Sequence, residues 1–115
     1  MNIAINGFGR IGRVLHRIVS DRKDINLVAI NDINPDNHNL AYLANYDSTY
    51  GPAKKKFQID GENLYNENER IRVFHEPRID QVPWGENVDV IIDSSGITEN
   101  LENASNLKGS VGHVI

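Results

Sequence analysis

Asn2-Ile3-Ala4-Ile5-Asn6-Gly7-Phe8-Gly9-Arg10-Ile11-Gly12 opens the chain, and an acid, Asp32, stands 20 positions beyond Gly12. The stretch reads as a short apolar strand running into G-x-G-x-x-G and then into a helical pattern. Each part has a physical task in holding a dinucleotide. Gly7 permits the tight turn out of the strand. Gly9 lets the backbone approach a pyrophosphate with no Cβ in the way, and Gly12 lets the helix pack close to the strand. Arg10 and Ile11 lie at the helix start, so their backbone N–H groups and the positive end of the helix dipole face the phosphates. Asp32 is placed to accept hydrogen bonds from the hydroxyls of the adenosine ribose. A carboxylate there repels a 2′-phosphate and so favours NAD over NADP. The bland alternatives are ordinary turn glycines and a polar strand end. Strand, helix and acid together favour the dinucleotide.

Working outward, helix one is predicted over Arg10 to about Ser20, with Ile11, Val14, Leu15, Ile18 and Val19 as an apolar stripe at helical spacing. Leu27-Val28-Ala29-Ile30 is a continuous apolar run of strand length, typical of a parallel strand covered on both faces. Pro35 interrupts, and Asn37 to Asn45 forms a second helix carrying Leu40, Ala41, Leu43 and Ala44. Phe57-Gln58-Ile59, Asn63-Leu64-Tyr65 and Ile71-Arg72-Val73-Phe74 are short segments broken by Asp60-Gly61 and a polar cluster. They read as an antiparallel insertion. Val88 to Ile92 is another strand, with Asp93 and Gly96 at its carboxyl end. A helix from about Glu99 to Leu107 and a strand starting at His113 complete the pattern. The fold class is α/β: a Rossmann-like, doubly wound, mostly parallel sheet with a small antiparallel insertion. Ending three residues into a strand leaves it half built, so residues 1–115 read as an incomplete, C-terminally truncated domain.

Ser94, Ser95 and Gly96 follow a strand end that belongs beside the first one. In open α/β sheets that crevice is where ligands bind; a simple loop is the competing reading. Lys54-Lys55-Lys56 reads as a solvated loop face, and Trp84, between Pro83 and Gly85, as a packing anchor. Asp47-Ser48-Thr49-Tyr50-Gly51 fits a turn built by side-chain caps. His16, His38, His75 and His113 show no metal-ligand spacing, and no Ser-His-Asp arrangement is present.

The bulk properties agree with a soluble globular domain: 115 residues, 39% hydrophobic and 24% charged. A net charge of −4 argues against non-specific nucleic-acid binding. The absence of cysteine removes disulfides, thiolate catalysis and Cys-based metal sites from these residues and is compatible with the cytosol. No run approaches the ~18 apolar residues of a membrane span. Met1-Asn2 leads into a strand and not a signal peptide, so the Asn103-Ala104-Ser105 glycosylation triplet reads as chance.

Ile5-Asn6-Gly7-Phe8-Gly9-Arg10-Ile11-Gly12-Arg13 closely resembles the N-terminal signature of phosphorylating glyceraldehyde-3-phosphate dehydrogenase. So do Ala29-Ile30-Asn31-Asp32, Tyr46-Asp47-Ser48-Thr49, Val82-Pro83-Trp84-Gly85 and Asp93-Ser94-Ser95-Gly96, in order along essentially the whole chain. The resemblance implies an NAD-dependent oxidoreductase of glycolysis, cytoplasmic and homotetrameric, acting on a small-molecule substrate with no membrane or nucleic-acid partner. It implies that Arg10 and Ile11 bind the pyrophosphate, Asp32 the adenosine ribose, and that Ser95 and Gly96 lie along the cofactor, where the family has Thr-Gly. The family's Arg beside the adenine falls at Pro77, and Arg78 is one step late. A backbone contact survives that change more readily than a side-chain one. Tyr50 replaces the His of the family's Asp-Ser-Thr-His-Gly. The nucleophilic Cys and general-base His of the family have no counterpart in these 115 residues, so the catalytic domain is absent and the chain alone is expected to be inactive. Two alternatives remain: the cofactor domain of erythrose-4-phosphate dehydrogenase, and a non-catalytic NAD-binding module.

Overall fold

A computed structural model of the chain describes residues 1–47, 51–52, 55–85, 87–97, 103 and 113–114. Strand β1 (Asn2–Asn6) leads into helix α1 (Arg10–Ser20), then β2 (Asn26–Asn31) and α2 (Asn37–Asn45). The short pair β3 (Tyr46–Asp47) and β4 (Gly51–Pro52) follows. Next come β5 (Gln58–Asp60), β6 (Asn63–Tyr65) and β7 (Arg70–Phe74), a 3-10 turn (Ile79–Gln81), β8 (Val90–Asp93) and β9 (His113–Val114). The stretch Ser48–Tyr50, Lys54, and the helix expected from Glu99 to Leu107, Asn103 apart, lie outside the described residues.

Apolar runs dictate the sheet. Its order is β5-β6-β7-β2-β1-β8-β9. β1 runs parallel to β2 on one side and to β8 on the other. Because side chains alternate along a strand, Ile3 and Ile5 enter one core and Ala4 the other. The first core joins them to Val19 of α1, Leu40 and Ala44 of α2, and Phe57, Leu64 and Ile71. The second gathers Ala4, Ala29 and Ile91 under Ile79, Val82, Trp84 and Val88. Trp84 is the anchor expected of it: buried, its indole N–H donates to the Ile79 carbonyl at 2.9 Å, and its ring meets Phe74 edge-on. Both faces of the central strands are thus covered, as a parallel sheet requires.

Two expectations change in detail. The antiparallel segments do not stand apart from the sheet. β5, β6 and β7 pair antiparallel, but β7 also pairs parallel with β2, so they extend the main sheet outward. The stripe of α1 is rotated as well. Ile11 is 65% and Ile18 52% exposed, while Gly12, His16 and Val19 face inward. The close approach at Gly12 sets the helix's rotation, and the larger Ile side chains are left outside. Lys55 and Lys56 are exposed, with Lys55 paired to Glu67 at 2.9 Å.

His16 is an unusual core residue. Its ring lies between those of Phe8 and Phe57, with centroids 5.9 and 5.2 Å away, and its Nε2 meets Glu69 Oε2 at 3.2 Å. Nδ1 is buried without a hydrogen-bond partner. Replacing Glu69 with Ala would strand the second ring nitrogen too. Leaving a buried polar group unpaired costs about 1–3 kcal/mol. Glu69→Ala is expected to lower the unfolding free energy by that amount, read in urea denaturation as a lower midpoint with an unchanged slope.

Candidate functional site

The site is built where the central strands end. β1 gives way to a turn at Gly7, whose φ of +96° favours glycine. A Cβ on Gly7 would also press on the Ser95 backbone at 2.7 Å. α1 begins directly after, so the N–H groups of Arg10, Ile11 and Gly12 have no acceptor within the helix; the first ladder bond runs from Arg13 N–H to the Gly9 carbonyl. A Cβ on Gly12 would overlap the Gly7 carbonyl oxygen and stand 3.1 Å from Ser94 Oγ. The Ser94 hydroxyl donates to that same Gly7 carbonyl at 2.6 Å. Gly9 is the opposite case: a Cβ on it would meet nothing within 4 Å.

Asp32 closes the turn from the neighbouring strand end. Its carboxylate accepts from Phe8 N–H (2.7 Å) and Asn34 N–H (2.9 Å), one oxygen each. Each oxygen keeps acceptor capacity for a further donor. Its carbonyl oxygen faces His75 Nδ1 at 2.9 Å, and the other nitrogen of that ring faces Asn37 Oδ1 at 2.7 Å. The end of β2, the start of α2 and the end of β7 are thereby tied together.

These elements surround an open cleft of about 160 Å³. Gly7, Gly9, Ser94, Ser95 and Ile97 line it from beyond β1 and β8, and Asp32, Ile33, Glu76 and Pro77 from beyond β2 and β7, with Asn6 and Asn31 also lining it. Six sequence-derived candidates therefore come together here: Gly7, Gly9, Asp32, Pro77, Ser94 and Ser95. Arg10, Ile11 and Gly12 stand on the adjoining first turn of α1, and Gly96 adjoins Ser95, without lining the cleft. Arg78 is held elsewhere. Its guanidinium forks onto Asp80 at 3.0 and 2.7 Å and reaches Asn103 Oδ1 at 3.2 Å.

Sequence reasoning passed over a buried row of polar side chains. Asn31 Nδ2 donates to Asn6 Oδ1 (2.7 Å) and to the Glu76 carbonyl (2.9 Å), while its Oδ1 accepts from Glu76 N–H (2.8 Å). Asn6 Nδ2 donates to Asp93 Oδ1 at 3.1 Å. That oxygen also accepts from Ser95 N–H (3.1 Å) and Ser95 Oγ (2.7 Å). The available signal was an Asn closing each of two apolar strand runs. An amide there must be either solvated or bonded, and these two are 2% and 3% exposed. Among the described residues, no group of three or more His, Asp or Glu could hold a metal ion, and no helix is long and apolar enough to cross a membrane.

A cleft at the carboxyl ends of parallel strands, where the chain order switches from β2 on one side of β1 to β8 on the other, defines an α/β dinucleotide-binding domain. The residues fit such a ligand: N–H donors at the start of α1 with no acceptor in the helix, an open space over Gly9 and the Asp32 carboxylate lining the same cleft. Residues 1–101 match the family described as "Glyceraldehyde 3-phosphate dehydrogenase, NAD binding domain". The chain belongs to that family, and NAD is its expected cofactor. Similar proteins include glyceraldehyde-3-phosphate dehydrogenase 1 of Kluyveromyces marxianus, 44% identical over 105 residues, covering 90% of this chain and 32% of the relative. The Ogataea parapolymorpha enzyme is 45% identical over 106 residues, covering 90% and 31%. Glyceraldehyde-3-phosphate dehydrogenase 1 of Saccharomyces cerevisiae is 40% identical over 105 residues, covering 90% and 32%. The chain thus spans about a third of the length of the curated relatives it matches.

Proposed function

We propose that this chain is the NAD-holding part of a phosphorylating glyceraldehyde-3-phosphate dehydrogenase, and that Gly7, Gly9, Arg10, Ile11, Gly12, Asp32, Pro77, Ser95 and Gly96 hold the cofactor. The observation that carries this reading is the pairing of the open Gly9 cradle with the Asp32 carboxylate across one cleft. The pyrophosphate lies over Gly9 and accepts from the N–H groups of Arg10 and Ile11. The adenosine ribose donates its hydroxyls to the remaining lone pairs of Asp32. Ile33 and Ile97, 66% and 36% exposed, offer apolar surface at the cleft for the adenine ring. Pro77 contributes its backbone and ring, whereas the Arg78 side chain, engaged with Asp80, makes no cofactor contact. NAD, when bound, supplies the hydride acceptor for oxidation of an aldehyde; none of the residues above does covalent chemistry. The relatives' names favour glyceraldehyde 3-phosphate over erythrose 4-phosphate as the substrate of the whole enzyme, and the homotetrameric, cytoplasmic state implied by the resemblance belongs to the same proposal.

Calorimetric titration of the chain with NAD, and with NADP as control, tests it. Saturable NAD binding with NADP far weaker is the expected result; equal binding of both removes Asp32 from the ribose. Asp32→Ala is expected to weaken NAD about tenfold or more, since hydrogen bonds to a charged group are worth about 1.5–3 kcal/mol each, and to narrow the gap to NADP. Asp32 also holds Phe8 N–H, so the variant's melting temperature is expected to fall too.

A further inference from the structure

We propose that the side-chain row Asn31–Asn6–Asp93 is a positioning device that sets the separation of the two walls of the cleft at its adenosine end. This rests on the dinucleotide reading above. The three residues occupy one register row: Asn6 stands opposite Asn31 in the β1–β2 pair and opposite Asp93 in the β1–β8 pair. Up to that row the backbone ladder fixes the strand spacing. The last ladder bond on the β8 side runs from Ser94 N–H to the Asn6 carbonyl at 2.8 Å; beyond it the Glu76–Pro77 segment and the Ser95–Ile97 loop have left the ladder, and these two segments, which follow β7 and β8 on either side of the β2–β1 pair, both line the cleft.

The side chains continue the ladder where the backbone stops. The Asn31 amide takes both the N–H and the carbonyl of Glu76, at 2.8 and 2.9 Å, as a neighbouring strand residue would. Asp93 Oδ1 gathers Ser95 N–H and Oγ on the other wall, and Ser95 Oγ in turn accepts from Ile97 N–H at 3.2 Å. Asn6 joins the halves through a 2.7 Å and a 3.1 Å bond. Each amide nitrogen in this run faces an oxygen and each amide oxygen faces an N–H, so neither amide can flip without placing like atoms face to face. Buried amides contribute little net stability, because their desolvation offsets most of the hydrogen-bond gain. Their directionality is what an apolar pair could not supply. A cleft held at one width spends less binding free energy on ordering its walls.

The test is titration of the full chain with NAD and with ADP-ribose, which lacks the nicotinamide, for Asn31→Ala, Asp93→Ala and Asp93→Asn, with folding checked by circular dichroism. Both Ala variants are expected to weaken NAD and ADP-ribose by the same factor, about tenfold, the scale of one unpaired buried polar group. Asp93 does not line the cleft, so a merely structural role would lower its melting temperature and leave affinity alone. Asp93→Asn keeps an oxygen for the three donors and is expected to restore near-normal affinity. Folded Ala variants with unchanged affinity overturn the proposal. Should Asn31→Ala not fold, the Asp93 pair decides: loss with Ala and rescue with Asn supports it, and equal affinity in both overturns it. Absence of binding by the unaltered chain overturns the cofactor reading itself, and this inference with it.

Discussion

Gly12→Ala is expected to destabilise the chain by about 3 kcal/mol or more and to abolish NAD binding with it. Two effects oppose each other. Ala is favoured over Gly in a helix interior by roughly 1 kcal/mol, which on its own would stabilise α1. Against this, the new methyl overlaps the Gly7 carbonyl oxygen and lies 3.3 Å from its carbon. Those atoms are backbone in a turn already fixed on three sides: Gly7 N–H donates to the Asn31 carbonyl at 2.7 Å, Ser94 Oγ to the Gly7 carbonyl at 2.6 Å, and Phe8 N–H to Asp32 at 2.7 Å. No flexible side-chain end can yield, so α1 must shift outward and break some of these bonds. Overpacking of a closed contact costs about 1–3 kcal/mol and sometimes more, and each lost buried hydrogen bond adds about 1 kcal/mol. The penalty wins over propensity. Out of a total of about 5–15 kcal/mol for a domain, that is a large share. Urea denaturation checks it: an unchanged or raised midpoint would show that α1 does not press on the Gly7 turn.

The elements most legible in the sequence were those with local punctuation. α1 begins at Arg10 because the glycines precede it. α2 begins at Asn37 because Asp36, after Pro35, caps it by accepting from Asn39 N–H at 3.1 Å. The strands β1, β2 and β8 announced themselves as apolar runs, and polar residues marked their carboxyl ends. What was hidden depended on partners distant in the chain. Nothing local says that β7 lies parallel to β2, since the pairing is decided by which edge remains free after β1 and β8 pair. The burial of His16 in place of Ile11 and Ile18 follows from the rotation of α1 about Gly12, and glycine carries no weight in a hydrophobic pattern. Arg78 could be placed only relative to the family's Arg; its capture by Asp80, two residues on, was written in the sequence as an Arg-x-Asp spacing. Asn6 and Asn31 were visible as strand-closing polar residues, but their mutual bond requires the register of two strands.

Gly9→Val separates the cofactor site from the fold, and its expected result is the mirror of Gly12→Ala: near-normal stability with NAD affinity reduced a hundredfold or more. Gly9 caps α1 with φ −79° and ψ −157°, a conformation open to any L-residue, β-branched ones included. The space around its missing Cβ is empty to 4 Å, so the protein itself offers no clash. The stability change is limited to the cap preference of Gly over Val, roughly 0.5–1 kcal/mol. Gly9 also lines the cleft, and in the proposed reading the pyrophosphate takes the open space over it. A branched side chain there occupies the volume through which a pyrophosphate must pass to reach the N–H groups of Arg10 and Ile11. Losing two charge-assisted hydrogen bonds, at about 1.5–3 kcal/mol each, corresponds to a hundredfold or greater rise in the dissociation constant. Calorimetric titration with NAD, alongside a thermal melt, measures both halves of the expectation. A folded Gly9→Val chain that binds NAD with unaltered affinity would move the pyrophosphate off this turn, whereas a variant that loses its fold would mean that the void over Gly9 is filled by the protein. The contrast between the two glycines, three positions apart on the same turn, is therefore a direct reading of which one serves packing and which one serves the ligand.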